Sequence, residues 1–185
     1  MRQSYPVSDE TIELLASYIK PCTFPKKYQL IKEGMYCKVA YFLEKGMTRS
    51  YWLVDGTEVT TSFSCEGGIV FSMDELYYHK PSEEFVETLE EVEVYEISLA
   101  NLTFLFRTNI ELANWGRVIH QNEYRRLHRI HKELLTLSAK ERYEQMRINF
   151  PQVCEKANLG YIASYLGITL STLSRIRATP ATGLF

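Results

Sequence analysis

Small hydroxylated side chains and two arginines lie close together near the C-terminal end of the sequence. Thr169, Ser171 and Thr172 precede Arg175 and Arg177 within one predicted helix. Proteins use hydroxyl and guanidinium groups on DNA phosphates and base edges, whereas a helix face that meets only solvent more often carries Glu and Lys. We therefore interpret this helix as a DNA-reading surface with six candidate residues: Thr169, Leu170, Ser171, Thr172, Arg175 and Arg177.

The surrounding residues predict a helix-turn-helix over residues 161–177. Ala163 and Gly167 are four positions apart, which is typical of two short helices that cross closely. The glycine permits the left-handed backbone of a turn, and Thr169 is placed to cap the second helix. Apolar residues of both helices would close one small core: Ile162, Leu166, Ile168, Leu173 and Ile176. An ordinary helical hairpin rich in Ala, Gly and Leu has the same spacing, so the motif alone leaves both interpretations open.

The composition predicts an ordinary packed protein of one large or two small domains. The chain has 185 residues, of which 45% are hydrophobic and 24% charged. It contains no run of about eighteen apolar residues, and its first residues lack the apolar core of a signal peptide, so we expect no membrane segment and a cytoplasmic location. The four cysteines have no metal-binding spacing and are expected to be free thiols. His128 and His131 are three apart but lack further ligands, so no metal site and no cofactor are expected.

The formal net charge of −2 conceals an asymmetry. Residues 1–110 carry 10 Lys and Arg against 17 Asp and Glu, a net charge of −7. Residues 111–185 carry 11 against 6, a net charge of +5. A basic C-terminal part fits contact with a polyanion such as DNA, although helix faces can also produce such an imbalance.

The first half of the chain has mostly β-type alternation. After a short amphipathic helix over residues 11–20, residues 25–97 form short alternating apolar and polar runs separated by turn signals. Asp55-Gly56 lies between two such runs and predicts a tight hairpin. Several short strands at this spacing predict a small antiparallel barrel or jelly roll.

The second half is helical. A long helix is predicted over residues 110–137, then a third helix over residues 138–150 opened by Ser138, a short linker holding Pro151, and two final helices that end at Thr179-Pro180. A helix of this length attached to a barrel commonly pairs with its own copy. We therefore predict a homodimer whose interface includes Leu112, Trp115, Ile119, Leu127, Ile130 and Leu134.

Barrel, long helix and helix-turn-helix in this order resemble the Crp/Fnr superfamily of bacterial regulators. In the barrel the resemblance rests on KKYQLIKEG (residues 26–34), YFLEKGMTRSYWLVDGTEVT (residues 41–60) and VYEIS (residues 94–98). In the second half it rests on LSAKERYEQM (residues 137–146) and the helix-turn-helix. It implies an α+β fold with three parts: a cyclic-nucleotide-binding-like β jelly roll over residues 1–110, a dimerisation helix over residues 111–137 and a DNA-binding domain over residues 138–185.

The resemblance also implies a function. Members of the family bind near-palindromic double-stranded DNA as homodimers and recruit or obstruct RNA polymerase. Their base-reading positions correspond to Leu170, Ser171 and Arg175, and the arginine can hold guanine with two hydrogen bonds. Thr169 and Thr172 correspond to phosphate contacts. Because Leu170 and Ser171 replace the more common Arg-Glu pair, we expect a different operator from that of the cyclic-AMP receptor protein.

The chain departs from the family pattern in the segment that would hold a cyclic phosphate. Phe71 and Ser72 replace a Gly-Glu pair, no arginine occurs between Arg49 and Arg107, and seven glutamates crowd residues 83–96. A small-molecule effector is therefore not expected to be cyclic AMP. A pocket between barrel and long helix would involve Ser72, Asp74, Tyr124, Leu127 and His128, and the alternative that no effector exists stays open. The usual hairpin wing after the reading helix is also expected to be missing.

Two other functional classes are alternatives to a DNA-binding regulator. A jelly-roll metalloenzyme would need several histidines on adjacent strands, but His79 is the sole histidine in residues 25–97, so we expect no enzyme. The second alternative is an effector-binding sensor or scaffold that no longer binds DNA.

Overall fold

The computed structural model describes residues 5–178. The predicted helix end at Thr179-Pro180, and the position of any wing, lie outside these residues. The described helices are α1 (Asp9–Ala16), α2 (Leu99–Thr108), α3 (Ile110–Thr136), α4 (Ala139–Asn149), α5 (Pro151–Lys156), α6 (Leu159–Tyr165) and α7 (Leu170–Ala178). The strands are β1 (Lys20–Phe24), β2 (Gln29–Ile31), β3 (Val39–Lys45), β4 (Thr48–Val54), β5 (Thr57–Ser64), β6 (Ile69–Val70), β7 (Phe85–Thr88) and β8 (Val92–Ser98), with a π-helical turn at Asp74–Tyr78. No helix within residues 5–178 is both long enough and apolar enough to cross a membrane.

The strands form two four-stranded antiparallel sheets that make a β-roll. Their orders are β1-β8-β3-β6 and β2-β7-β4-β5. The hairpin predicted at Asp55-Gly56 is confirmed, because Val54 pairs with Thr57 across these two residues. Both loop residues have positive φ, 50° for Asp55 and 77° for Gly56, as the favoured two-residue hairpin turn requires.

Two element boundaries differ from the predictions. The first helix was expected to reach residue 20, but α1 ends at Ala16 and residues 20–24 pair with β8, because strand pairing satisfies backbone groups that a short helix would leave open. Pro151 was expected in a linker, but it occupies the first turn of α5, where its missing N–H costs no hydrogen bond.

The C-terminal helices and the β-roll share one apolar core. The cluster contains Met47, Phe63 and Leu89 from the roll and Tyr143, Met146, Val153, Ile162, Ala163, Leu166 and Leu173 from the helices. The roll has its own interior cluster, and a third cluster packs α1, α2 and the start of α3 against it. Helices α4, α5, α6 and α7 are therefore packed against the β-roll.

The long helix divides into a buried beginning and an exposed remainder. Leu112 and Trp115 are buried within the chain, and Trp115 lies beside Phe42 of β3. Beyond His120 the helix is largely exposed, including Leu127 and Leu134. The predicted dimer seam is thus used inside the chain at Leu112 and Trp115, is half-buried at Ile119 and Ile130, and is exposed at Leu127 and Leu134.

Candidate nucleic-acid interface

The two last helices are joined by a tight, hydrogen-bonded turn. Asn158 caps α6 by accepting a hydrogen bond from the Gly160 N–H at 2.7 Å. Gly167 has the positive φ (64°) expected for the turn, and the Ile168 N–H donates to the Ala163 carbonyl at 3.0 Å. Thr169 then caps α7, since its Oγ1 accepts a hydrogen bond from the Thr172 N–H at 3.2 Å. Two short helices joined by this turn thus lie over residues 159–178.

The predicted reading face of α7 points outward. Leu173 is fully buried in the shared core, whereas Leu170 is 51% exposed. Thr169, Ser171, Arg175 and Arg177 are also exposed, and Thr172 is half-buried. The face carries no acidic residue, because α7 reads LSTLSRIRA.

The hydroxyl groups at the start of α7 are linked to one another. Thr169 Oγ1 lies 3.0 Å from Ser171 Oγ and 2.9 Å from Thr172 Oγ1. Arg175 donates from Nη2 to Thr172 Oγ1 at 3.4 Å. This network orders the face: Thr169 Oγ1 has three partners, whereas the Ser171 and Thr172 hydroxyls each keep a lone pair or a proton for an outside partner.

The segment that would hold a cyclic phosphate is acidic and internally bonded. The Asp74 carboxylate accepts the Glu83 N–H at 3.0 Å, and Ser82 Oγ accepts the Glu84 N–H at 3.2 Å. Ser72 Oγ accepts the Glu75 N–H at 3.3 Å. Burial, and then the Asp74 carboxylate, raises the pKa of Glu84 to about 7. A cyclic phosphate requires free N–H groups or cations, so these residues do not fit one.

The five predicted effector residues occupy two places. Ser72 is buried and Asp74 is half-buried at the π-helical turn. Tyr124, Leu127 and His128 lie exposed on α3. The turn does touch α3 one helical turn earlier, where the Tyr77 hydroxyl is hydrogen-bonded to His120 Nε2.

The sequence did not indicate the residues that join α6 to the β-roll. Arg49 of β4 is 1% exposed and its guanidinium lies 3.5 Å from the ring centre of Tyr161 on α6. Ser164 of α6 is hydrogen-bonded to β5. Arg49 stands out as the last arginine before Arg107, but nothing local indicates that its partner lies on a distant helix.

Metal ligands are not gathered in residues 5–178, where no group of three or more His, Cys, Asp or Glu side chains could hold an ion. Cys22, Cys37, Cys65 and Cys154 are half-buried free thiols. Burial is the main cause that raises the pKa of each thiol.

Comparison with known proteins agrees with this architecture. Residues 21–109 match the cyclic nucleotide-binding domain family. No curated protein sequence matches the chain. Among solved structures, the c-di-GMP-responsive global regulator CLP of Xanthomonas campestris is similar, with 18% identity, a TM-score of 0.71, and coverage of 91% of this chain and 89% of that chain.

Two further solved structures share the fold. FixK2 from Bradyrhizobium japonicum has 19% identity and a TM-score of 0.71, covering 86% of this chain and 83% of that chain. A crp/fnr-family regulator from Eubacterium rectale has 14% identity and a TM-score of 0.72, covering 92% of this chain and 82% of that chain. The β-roll, long helix and terminal helix pair of this chain follow one another in the same order, so it shares the fold of these structures, and its residues 21–109 match the cyclic nucleotide-binding domain family.

Proposed function

We propose that the protein is a sequence-specific transcription regulator that binds a near-palindromic DNA operator as a homodimer in the cytoplasm and has no catalytic activity. The observation that carries this proposal is the outward face of α7, which presents hydroxyls and arginines without acids on a helix anchored by Leu173. The basic balance of residues 111–185 supports it. RNA polymerase, recruited or obstructed, is the partner through which such a protein would act.

In this proposal α7 enters the major groove by its N-terminal half. Arg175 would hold guanine O6 and N7 with two hydrogen bonds, Leu170 would contact a thymine methyl group, and Ser171 would contact a base edge. Thr169 and Thr172, together with the N-terminal end of the helix, would contact phosphates, and Arg177 would add a phosphate contact. The capped start of α7 fixes these groups before DNA arrives, which lowers the entropic cost of binding.

The dimer is proposed to form along the exposed part of α3. Leu127, Ile130 and Leu134 follow the three-then-four spacing of a helix pair. Two copies of α7 would then face successive major grooves on one side of the duplex.

An effector, if this protein has one, is proposed to be something other than a cyclic nucleotide. The acidic cassette and the absence of arginine between Arg49 and Arg107 support this, since a phosphate would meet carboxylates there. Ser72, Asp74, Tyr124, Leu127 and His128 stay candidate effector residues.

Selection of random duplex DNA by the purified protein, near physiological salt, tests the function. We expect enrichment of a two-fold symmetric site with half-sites about one helical turn apart. If selection returns only salt-sensitive, sequence-independent binding, the proposal is overturned in favour of a sensor or scaffold that does not read DNA.

Arg175→Ala tests the assignment of the reading helix. We expect a loss of about 1–3 kcal/mol in specific binding and relaxed preference at one guanine position. Arg107→Ala is the matched control, because it removes an equal charge from an exposed site at the end of α2. Equal affinities and preferences for the two variants would show that Arg175 does not read a base.

A further inference from the structure

A buried arginine lies between a strand of the β-roll and the first helix of the reading unit. Arg49 points from β4 toward α6 and is 1% exposed. Its guanidinium carbon lies 4.2 Å from the ring centre of Tyr51, on its own strand, and 3.5 Å from that of Tyr161, on α6. Cation–π attraction strengthens when water is excluded, and here one of the two rings is supplied by the other unit.

Two carboxylates of the β-roll neutralise the charge of Arg49, and Tyr161 of α6 shields the guanidinium from water. Arg49 forms ion pairs with Glu58 and, at 2.8 Å, with the buried Glu87. The Lys27 ammonium donates to the Tyr161 hydroxyl at 2.8 Å and lies 3.6 Å from Glu87. If α6 moved away, water would reach the ion pairs and the stack would lose one ring. The stacking of Arg49 on Tyr161 therefore forms only when α6 is docked, and docking also strengthens the ion pairs by excluding water.

A second contact lies at the edge of the same sheet. β5 is a terminal strand in the order β2-β7-β4-β5, so one side of its backbone has no neighbouring strand. The Thr60 N–H donates to Ser164 Oγ at 2.9 Å, and that hydroxyl donates to the Glu58 carbonyl at 3.3 Å. One serine hydroxyl thus satisfies a donor and an acceptor of the open edge, as a further strand would.

Docking leaves the reading face open. The contacts to β4 and β5 come from Tyr161, Ser164 and Tyr165 of α6, whereas Leu170 and Ser171 of α7 stay exposed. An autoinhibitory contact would cover α7 instead. We propose that Arg49, Tyr161 and Ser164 form an interdomain latch whose role is to position the reading helix for DNA, so that opening the latch weakens specific binding. The existence of the latch does not depend on the proposed function, but its effect on DNA binding does.

Hydrogen exchange at the Thr60 amide reports the latch directly, because its described partner is Ser164 on the other unit. The variant is Tyr161→Leu, which keeps helix propensity and removes the ring. Tyr161→Phe is the matched control, which keeps the ring and loses only the hydroxyl bonded to Lys27. We expect Thr60 to exchange about tenfold faster in Tyr161→Leu and near the wild-type rate in Tyr161→Phe.

Arg49→Lys supplies a second test, because it retains the charge but lacks the planar group that stacks between two rings. Amides of α4 and β8 check in each variant that the fold persists. On the operator obtained by selection, we expect about tenfold weaker binding by Tyr161→Leu than by Tyr161→Phe, without altered base preference.

The outcomes separate the two proposals. Unchanged Thr60 exchange in Tyr161→Leu and Arg49→Lys, with the fold intact, would overturn the latch whether or not DNA binds. Faster exchange with equal or tighter operator binding would overturn its positioning role. A wild-type protein that binds no operator would overturn the proposed function, while the exchange result would still decide whether the latch exists.

Discussion

Glu84 is a residue whose acid–base chemistry the fold changes strongly. Burial, and then the Asp74 carboxylate, raises its pKa to about 7 from an ordinary value near 4.5. The folded state therefore binds the Glu84 proton more tightly than the unfolded state does. Its contribution to the free energy of unfolding is complete below about pH 4.5 and is lost as the pH rises to about 7.

We expect Glu84→Gln to remove this part of the pH dependence. The neutral amide cannot ionise, so the variant should not lose this part of the stability as the pH rises. Between pH 5 and pH 8 we expect the free energy of unfolding of the variant, relative to that of wild type, to rise by on the order of 1–2 kcal/mol, after allowance for partial exposure. Urea unfolding at both pH values measures the difference. Glu83→Gln removes an exposed neighbouring carboxylate and serves as the control. Parallel pH dependence in wild type and Glu84→Gln would contradict this assignment.

Residue-scale features were predictable where they depend on neighbours in sequence. The Thr169 cap, the positive φ of Gly167 and the Asp55-Gly56 hairpin all follow from the backbone needs of a few adjacent residues. The contact between Arg49 and Tyr161 joins residues far apart in sequence. No pattern in either segment specifies it, because it depends on how two complete units pack.

At the scale of elements, the junction between α3 and α4 is tightly bonded. Ser138 Oγ accepts the Glu141 N–H at 3.3 Å, and Glu141 Oε2 accepts the Ser138 N–H at 2.8 Å, forming a capping box. Arg142 donates to the Leu137 carbonyl at 2.9 Å and to the Leu166 carbonyl at 3.0 Å. Arg142 thereby connects the end of the long helix to the turn between α6 and α7.

We expect Ser138→Ala to lower the free energy of unfolding by about 1 kcal/mol, because the Glu141 N–H loses its acceptor at the helix start. Ser138→Thr retains a hydroxyl and should cost only a few tenths of that amount. Urea unfolding of both variants makes the comparison. If alanine and threonine are equally stable, the capping box contributes nothing measurable.

Element boundaries were least predictable where two structures compete for the same residues. The apolar periodicity of residues 17–20 would allow α1 to continue, but Lys20 pairs with Glu96 of β8 and begins a strand instead. Pro151 is a breaker in the middle of a helix and a favourable residue in its first turn, so its effect depends on where α5 begins. Capping at Ser138 and apolar spacing made the long helix and α4 more predictable.

For the whole molecule, the sequence predicted the order of units but not their docking. The alternating and helical patterns located the roll, the long helix and the helix pair, and the family resemblance supplied the arrangement. The shared core that joins Met47 and Phe63 to Leu173 could not be read from those patterns. Apolar periodicity shows which face of an element is buried, but it does not identify the partner.

The exposed half of α3 carries the last prediction, which concerns assembly. Leu127 is 52% exposed and Leu134 is 54% exposed in the single chain, one heptad apart on the same helix face. Burying these leucines against a second copy of the helix would remove apolar surface from water and stabilise a dimer. Glutamates at both positions would lose their hydration in that interface and would repel the glutamates of the second copy. We therefore expect the wild type to be a dimer and the double variant Leu127→Glu with Leu134→Glu to be a monomer.

Sedimentation equilibrium of wild type and variant measures this change in mass. Leu53→Glu is the matched control, since Leu53 is 46% exposed on β4 and the same chemical change there should leave the dimer intact. A wild-type monomer, or a dimer unaffected by the two glutamates, would show that α3 is not the interface. If α7 binds DNA as proposed, a single copy would reach only one major groove, so the monomeric variant should also lose cooperative recognition of a two-fold symmetric site while keeping weak, salt-sensitive binding to any duplex.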